Sequence, residues 1–182
     1  NNATFSRRRF VKGLATGGAL AGLWPRQLWA LKSPGHPTVL AGTDFRLSIN
    51  ETPVNFTGKP RSAVTVNGSL PAPLLRWREG DTVNIRVNNA MPATSVFGRS
   101  TSVHWHGIIL PANMDGVPGM SFNGIAVGES YQYRFKLGQS GTYWYHSHSG
   151  FQEQAGLYGP IIIDAADNAR LKFVTGATSG VN

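Results

Sequence analysis

The sequence has no cysteine among its 182 residues, so a structural zinc site of the usual cysteine-rich kind is excluded. Acidic residues are absent from the first 32 residues, where six of the 17 basic residues lie. The rest of the chain therefore carries 11 basic residues against nine acidic ones, although the formal net charge of the whole is +8. Because that remainder is nearly balanced, we expect no nucleic-acid partner, which would need a basic surface.

Long hydrophobic runs are also lacking. The apolar stretch from Gly13 to Trp24 is about twelve residues long, which is too short to span a bilayer. It follows a Ser-Arg-Arg-Arg-Phe-Val-Lys run, and this order predicts a twin-arginine export signal over residues 1–32 and a periplasmic protein with no stable membrane span. A basic amphipathic helix on a membrane surface is the alternative, but four glycines in the stretch disfavour a helix.

Amphipathic helical stretches and internal repeats are missing from the remainder. Short runs rich in β-branched and aromatic residues are present instead, separated by Gly, Pro and Asn. They predict an all-β domain over residues 33–165, an antiparallel sandwich with Greek-key connections, followed by a linker or the truncated start of a further domain over 166–182. The seven predicted strands cover residues 45–49, 62–68, 82–89, 102–110, 131–137, 142–148 and 159–164.

Histidine is scarce, and four of the five histidines form two His-x-His pairs. The pairs are His104 with His106 in HWHG and His146 with His148 in YHSHS; His36 has no such partner and is assigned no role. Side chains alternate along a strand, so each pair is expected to present two imidazoles on one face. A lone histidine is more often a polar residue satisfied by hydrogen bonds, but two pairs in one small domain predict a metal site. All-nitrogen ligands suit zinc, copper, iron or nickel, and spacing alone leaves that choice open.

Two longer stretches carry a family resemblance. TSVHWHGIILPANMDGVPG and QSGTYWYHSHSGFQEQAGLYGPIIID resemble the first cupredoxin domain of multicopper oxidases. Together with the export signal, these two sequences are similar to those of the copper-resistance protein A branch. The resemblance implies a cupredoxin-like Greek-key β-sandwich and a type 2/type 3 trinuclear copper cluster that reduces dioxygen to water. By motif, His104 would bind the type 2 copper, His106 and His146 would share one type 3 copper, and His148 would bind the other.

The same resemblance assigns Asp115, in the Met-Asp-Gly turn, to the catalytic machinery as a carboxylate near the type 2 copper that relays protons. The alternative is that Asp115 only forms a turn before Gly116. Glu153 is a weaker candidate for contact with a ligand, and we assign it no role. Nearby aromatic residues are expected to pack and hold the ligand strands rigid: Trp105, Tyr143, Trp144 and Tyr145.

The absence of cysteine also bears on the family resemblance. A type 1 copper needs a cysteine thiolate with two histidines, so that site is not encoded here. The resemblance therefore implies the N-terminal domain of a longer oxidase, whose missing C-terminal cupredoxin domains would complete the cluster. Its donor would be Cu(I) or a phenol-like compound, and this chain alone would be inactive. The alternatives are a stand-alone periplasmic copper-binding cupredoxin that sequesters or delivers copper, and an oligomer that combines the histidines of two chains.

Overall fold

Strands and turns make up the described part of the chain. The computed structural model describes residues 38–120 and 122–166; the predicted export signal, His36 and the segment from residue 167 onward lie outside them. No α-helix occurs among the described residues, and none of their helical segments is long and apolar enough to cross a membrane. Within the described ranges, a single 3₁₀ turn occupies Ala112–Met114. The eleven strands are β1 Val39–Ala41, β2 Asp44–Val54, β3 Arg61–Val66, β4 Leu74–Arg78, β5 Thr82–Asn89, β6 Ser100–Thr101, β7 His104–His106, β8 Ile125–Ala126, β9 Ser130–Lys136, β10 Gly141–His146 and β11 Tyr158–Asp164.

Most strands belong to two sheets. Sheet A has the order β1-β4-β11-β10-β7, and sheet B has the order β3-β2-β5-β9. Strands β6 and β8 form a separate pair. Strand β7 is therefore an edge strand of sheet A, with β10 beside it.

Strand alternation places the core between the two sheets. In β5, the apolar residues Val83, Ile85 and Val87 are fully buried, while Arg86 between them is exposed. Aromatic contacts join the sheets: the ring centroids of Trp77 in sheet A and Phe135 in sheet B lie 6.1 Å apart. These contacts confirm the predicted all-β sandwich.

The predicted antiparallel pairing holds for only part of the sandwich, because both sheets also contain parallel pairs. Strand β2 pairs in parallel with β5 over residues 44–49 and antiparallel with β3 over residues 49–54. Between β3 and β5 the chain crosses to sheet A and forms β4. It then returns to sheet B as β5, which runs in the same direction as β2. Strand β2 is also longer than the predicted 45–49.

Some strand limits also differ from prediction. Strand β4 was not predicted, although LLRWR alternates correctly and buries Leu75 and Trp77. The strand predicted over residues 102–110 is reduced to β7, because the chain turns at Gly107, where φ is +83°. The strand predicted over residues 142–148 ends at His146, so His148 lies beyond it.

Candidate metal centre

The pairing of β7 with β10 brings the two histidine motifs together. Its register sets His104 opposite His146, Trp105 opposite Tyr145 and His106 opposite Trp144. Trp105 and Tyr145 point into the core and are fully buried. Alternation then puts the imidazoles of His104, His106 and His146 on the other face of the same sheet edge.

His148 reaches this face from a loop rather than from a strand. Its backbone N–H donates a hydrogen bond to Ser102 Oγ at 2.9 Å. The same hydroxyl accepts one from Ser149 Oγ at 3.0 Å. The prediction that this strand extends to His148 is therefore wrong, but the His148 ring still lies with the others, 5.4 Å from the His104 ring and 5.7 Å from the His146 ring.

Three of the four imidazoles are close enough to share an ion. One ring nitrogen from each of His104, His106 and His146 lies within 4.8 Å of the others. His106 Nδ1 and His146 Nε2 face each other at 3.3 Å. Two imidazole nitrogens bound to one ion at about 2.0 Å and at a roughly tetrahedral angle would be separated by about 3.3 Å. The residues present therefore fit a metal bound between His106 and His146.

The first histidine of each pair is oriented through its Nδ1. His104 Nδ1 lies 2.8 Å from the backbone oxygen of Asp115 and 3.3 Å from its carboxylate Oδ1. His146 Nδ1 lies 3.0 Å from the backbone oxygen of Ser147 and 2.8 Å from Glu153 Oε2. The two backbone oxygens can only accept a hydrogen bond, so Nδ1 carries the proton in both neutral rings and Nε2 keeps its lone pair for a metal.

Electrostatics at His146 favour the neutral, metal-binding form. Burial lowers the pKa of His146 below its ordinary value, and the nearby His104 and His106 lower it further. The Ser147 carbonyl and the Glu153 carboxylate oppose this shift, but the net direction is downward. A neutral imidazole is the form that can bind a metal ion.

Asp115 both forms a turn and contacts a candidate ligand. It follows the 3₁₀ turn and precedes Gly116, which has φ of +74°. A Cβ atom at Gly116 would clash with the carbonyl oxygen of Val103, the residue before His104. The glycine thus lets the turn pack directly against the histidine strand, and that contact brings Asp115 beside His104.

The aromatic residues near the pairs have different environments. Trp105 and Tyr145 belong to the core, and Tyr143 packs against it. Trp144 instead stacks on His146, with ring centroids 4.1 Å apart and planes at 21°, and lies 5.1 Å from the His106 ring. Trp144 therefore contacts both imidazoles that could share a metal.

Sequence reasoning assigned no role to two residues of this region. Glu153 contacts His146, and the side chain of the neighbouring Gln152 is completely buried in the loop that carries Glu153. No spacing rule links them to the histidines, because they act from a loop whose path depends on the tertiary structure.

Comparisons with known proteins agree on one family. A family model described as multicopper oxidase matches residues 48–168. Copper resistance protein A homolog of Pseudomonas syringae pv. tomato is 62% identical over 164 residues, which are 89% of this chain and 27% of that protein. Copper resistance protein A of Escherichia coli is 54% identical over 164 residues, which are 89% of this chain and 26% of that protein. The chain thus spans about a quarter of the length of these relatives.

Solved structures show the same relationship. A multi-copper oxidase from Pseudomonas thermotolerans superimposes with a TM-score of 0.62 at 32% identity, over 71% of this chain and 31% of that one. A laccase from Botrytis aclada gives a TM-score of 0.61 at 39% identity, over 70% of this chain and 23% of that one. These neighbours have a cupredoxin fold, so the predicted fold class is confirmed.

Proposed function

The chain belongs to the multicopper oxidase family, and from this premise we propose that it is the N-terminal cupredoxin domain of an exported copper-resistance oxidase. The domain would cover residues 33–165, after a twin-arginine signal over residues 1–32 and before a linker or the start of a further domain over 166–182. Twin-arginine export would place the protein in the periplasm. The names of two relatives refer to copper resistance, and they support the copper-resistance part of the proposal.

The four paired histidines are the proposed copper ligands. His104 would bind a type 2 copper, His106 and His146 would share one type 3 copper, and His148 would bind the other. When bound, copper would supply the redox chemistry that reduces dioxygen to water. The observation that carries the proposal is the meeting of the four rings: the β7–β10 register sets the His104 ring 5.3 Å from that of His146, and the His106 and His148 rings lie 5.6 and 5.4 Å from the His104 ring.

Asp115 is the proposed proton carrier of the site. Its Oδ1 lies 3.3 Å from His104 Nδ1, and its side chain is 38% exposed. A carboxylate in this position can take a proton from solvent and hold it next to the ligand set, and the reduction of dioxygen consumes protons. The hydrogen bond from His104 Nδ1 to the Asp115 backbone oxygen would keep the ring in place whether or not the carboxylate is protonated.

The remaining parts of the reaction would come from outside this chain. Further cupredoxin domains would supply the other histidines of the cluster and the cysteine of a type 1 copper, since this sequence has no cysteine. The electron donor would be Cu(I) or a small phenol-like compound. The chain covers about a quarter of the length of its relatives, which is consistent with such additional domains.

Copper titration of the full 182-residue chain tests the ligand assignment. We expect Cu(II) binding that is lost in a variant with His104, His106, His146 and His148 changed to alanine. Both proteins should lack the intense blue absorption of a copper–thiolate bond and should consume no dioxygen.

Two results would contradict the proposal. Equal copper uptake by the unaltered chain and the four-alanine variant would refute the ligand assignment. Dioxygen consumption by the unaltered chain alone would refute the need for additional domains. A variant with His36 changed to alanine is a suitable control, because it removes an imidazole outside the two pairs.

A further inference from the structure

His146 is the most buried of the four paired histidines, and its ring orientation depends on contacts at Nδ1. Only 5% of the residue is exposed. Nδ1 lies 2.8 Å from Glu153 Oε2 and 3.0 Å from the Ser147 carbonyl oxygen. A neutral imidazole has one N–H, so a proton held on Nδ1 leaves the lone pair on Nε2. That Nε2 atom is the one that faces His106 Nδ1 at 3.3 Å.

The two acceptors at Nδ1 are not equivalent. The Ser147 carbonyl belongs to the next residue in the chain, whereas Glu153 approaches from a separate loop. The Ser147 carbonyl accepts the hydrogen bond at 3.0 Å, whereas the Glu153 carboxylate makes a closer ion-pair contact at 2.8 Å and attracts the N–H electrostatically. If the ring rotated by 180°, a carbon atom would replace Nδ1 beside the carboxylate, and this electrostatic contact would be lost.

The loop that carries Glu153 is itself anchored. The preceding residue, Gln152, is 0% exposed, and its amide group is fully used in hydrogen bonds. Beyond Glu153, the backbone oxygen of Ala155 accepts a hydrogen bond from Val64 N–H of β3 at 3.0 Å. Gln152 accepts bonds from Thr101 Oγ1 and Ser147 Oγ at 2.7 and 2.9 Å and donates to the carbonyl oxygens of Phe97 and Ser100 at 3.0 and 2.8 Å.

Stacking restricts His146 from another side. The Trp144 ring lies 4.1 Å from the His146 ring with an interplanar angle of 21°. Stacking of this kind limits the tilt of the imidazole plane, but it does not distinguish Nδ1 from the carbon atom opposite. The choice between the two ring orientations therefore depends on the hydrogen bond to Ser147 and the ion-pair contact with Glu153 at Nδ1.

We propose that Glu153 is a positioning residue of the candidate metal centre. Its carboxylate holds His146 in the Nδ1–H tautomer and in the orientation that directs Nε2 toward His106, before any metal binds. The inference rests on the proposed function in treating His146 as a copper ligand. It goes further in assigning a role to a carboxylate that does not itself bind the ion.

The ring nitrogens of the metal-free chain provide the first test. Long-range ¹H–¹⁵N correlation spectra of the full chain should show His146 as the Nδ1–H tautomer. Glu153→Ala should give a mixture of tautomers, whereas Glu153→Gln should restore the original pattern because its amide oxygen can face the Nδ1–H group in place of the carboxylate. A residue that only supports the fold would not produce this dependence on the acceptor atom.

Copper affinity provides the second test. Loss of the polar partner of a metal-ligating side chain typically weakens metal binding about 10–100-fold, and we expect Glu153→Ala to weaken Cu(II) binding by this factor. Glu153→Gln should recover most of the affinity. Glu129→Ala is the matched control, because it removes an exposed carboxylate from a turn in another part of the domain, and it should leave both measurements unchanged.

The outcomes separate this inference from the proposed function. If the unaltered chain binds no more Cu(II) than the variant lacking all four paired histidines, the proposed function fails, and the tautomer measurement still decides the role of Glu153. If the unaltered chain binds copper and Glu153→Ala leaves either the tautomer or the affinity unchanged, the positioning role is overturned. Should Glu153→Ala fail to fold, an unaltered tautomer ratio in Glu153→Leu would overturn it equally.

Discussion

The two His-x-His pairs have the same sequence spacing but are held in different ways. The first pair lies entirely within β7, and the residue between its histidines, Trp105, is fully buried. The second pair crosses the end of β10, so that His146 closes the strand and His148 follows in a loop. The residue between them, Ser147, is also buried, but it is polar and hydrogen-bonded to Gln152.

This difference shows that one motif can be positioned by two kinds of interaction. Strand alternation and a large apolar anchor orient His104 and His106. A network of side-chain hydrogen bonds positions the loop that carries His148, through Ser102 and Gln152. The first pair should therefore depend on the hydrophobic core, and the second on the satisfaction of buried polar groups.

The pairs also share a feature. In each, the Nδ1 atom of the first histidine contacts both a backbone carbonyl and a carboxylate. At His104 the carbonyl is the closer acceptor, at 2.8 Å against 3.3 Å for Asp115 Oδ1. At His146 the carboxylate of Glu153 is closer, at 2.8 Å against 3.0 Å. We therefore expect the Asp115 carboxylate to contribute less to the orientation of its histidine than the Glu153 carboxylate does.

The largest effect is expected from Trp105→Ala. Truncation of a fully buried tryptophan leaves a cavity and typically costs about 3–5 kcal/mol of unfolding free energy. The midpoint of urea-induced unfolding measures this loss. Trp144→Ala is the matched control from the neighbouring strand, where the tryptophan is only half-buried. Equal destabilisation by the two changes would contradict the view that the core anchors the first pair.

A smaller effect is expected from Gln152→Ala. The change leaves the hydroxyls of Thr101 and Ser147 without their acceptor and removes the donor to two backbone carbonyls. Each buried group left unsatisfied costs about 1–3 kcal/mol, partly offset by local rearrangement, so we expect a loss of about 2–3 kcal/mol in the same unfolding measurement. Weaker Cu(II) binding should accompany it, because the loop carries Glu153 and His148.

The adjacent Gln154 offers the control for this change, because its side chain is exposed. Gln154→Ala should alter the unfolding free energy by no more than about 0.5 kcal/mol. Were Gln152→Ala equally mild and its copper affinity normal, the second pair would not depend on the hydrogen-bond network.

The smallest structural effect is expected from Asp115→Asn. The change preserves the shape of the side chain and leaves the hydrogen bond from His104 to the backbone oxygen intact, so copper content and unfolding midpoint should stay the same. In the complete oxidase that we propose, the reduction of dioxygen should slow by about 10²–10⁴-fold, because the amide cannot carry a proton. Oxygen consumption as a function of pH measures this.

Asp44→Asn, on the outer face of sheet B, is the control for the loss of a negative charge. Normal turnover in Asp115→Asn across the pH range would show that Asp115 only forms a turn.

Much of the fold could be predicted from local patterns. The alternation in TVNIRVNN predicted β5 with its observed limits, because every second residue is buried and most of these are apolar. The mixed pairing of β2 could not be predicted, since whether two strands run parallel depends on the path of the chain between them. The run LLRWR alternates between buried and exposed residues, as a strand should. It is short, however, and an exposed arginine lies on either side of Trp77, so β4 was missed.

The sequence by itself determined which residues are candidates for the metal centre. The spacing of four scarce histidines in two strand-forming segments is a local property, and that spacing is enough to indicate an all-nitrogen site. Only the tertiary structure decided how these rings meet and which neighbours hold them. The β7–β10 register, the loop position of His148 and the approach of Glu153 to His146 each depend on how separate segments of the chain pack together. Such contacts arise only when the core packs and the buried polar groups find their hydrogen-bond partners at the same time, so no local pattern encodes them.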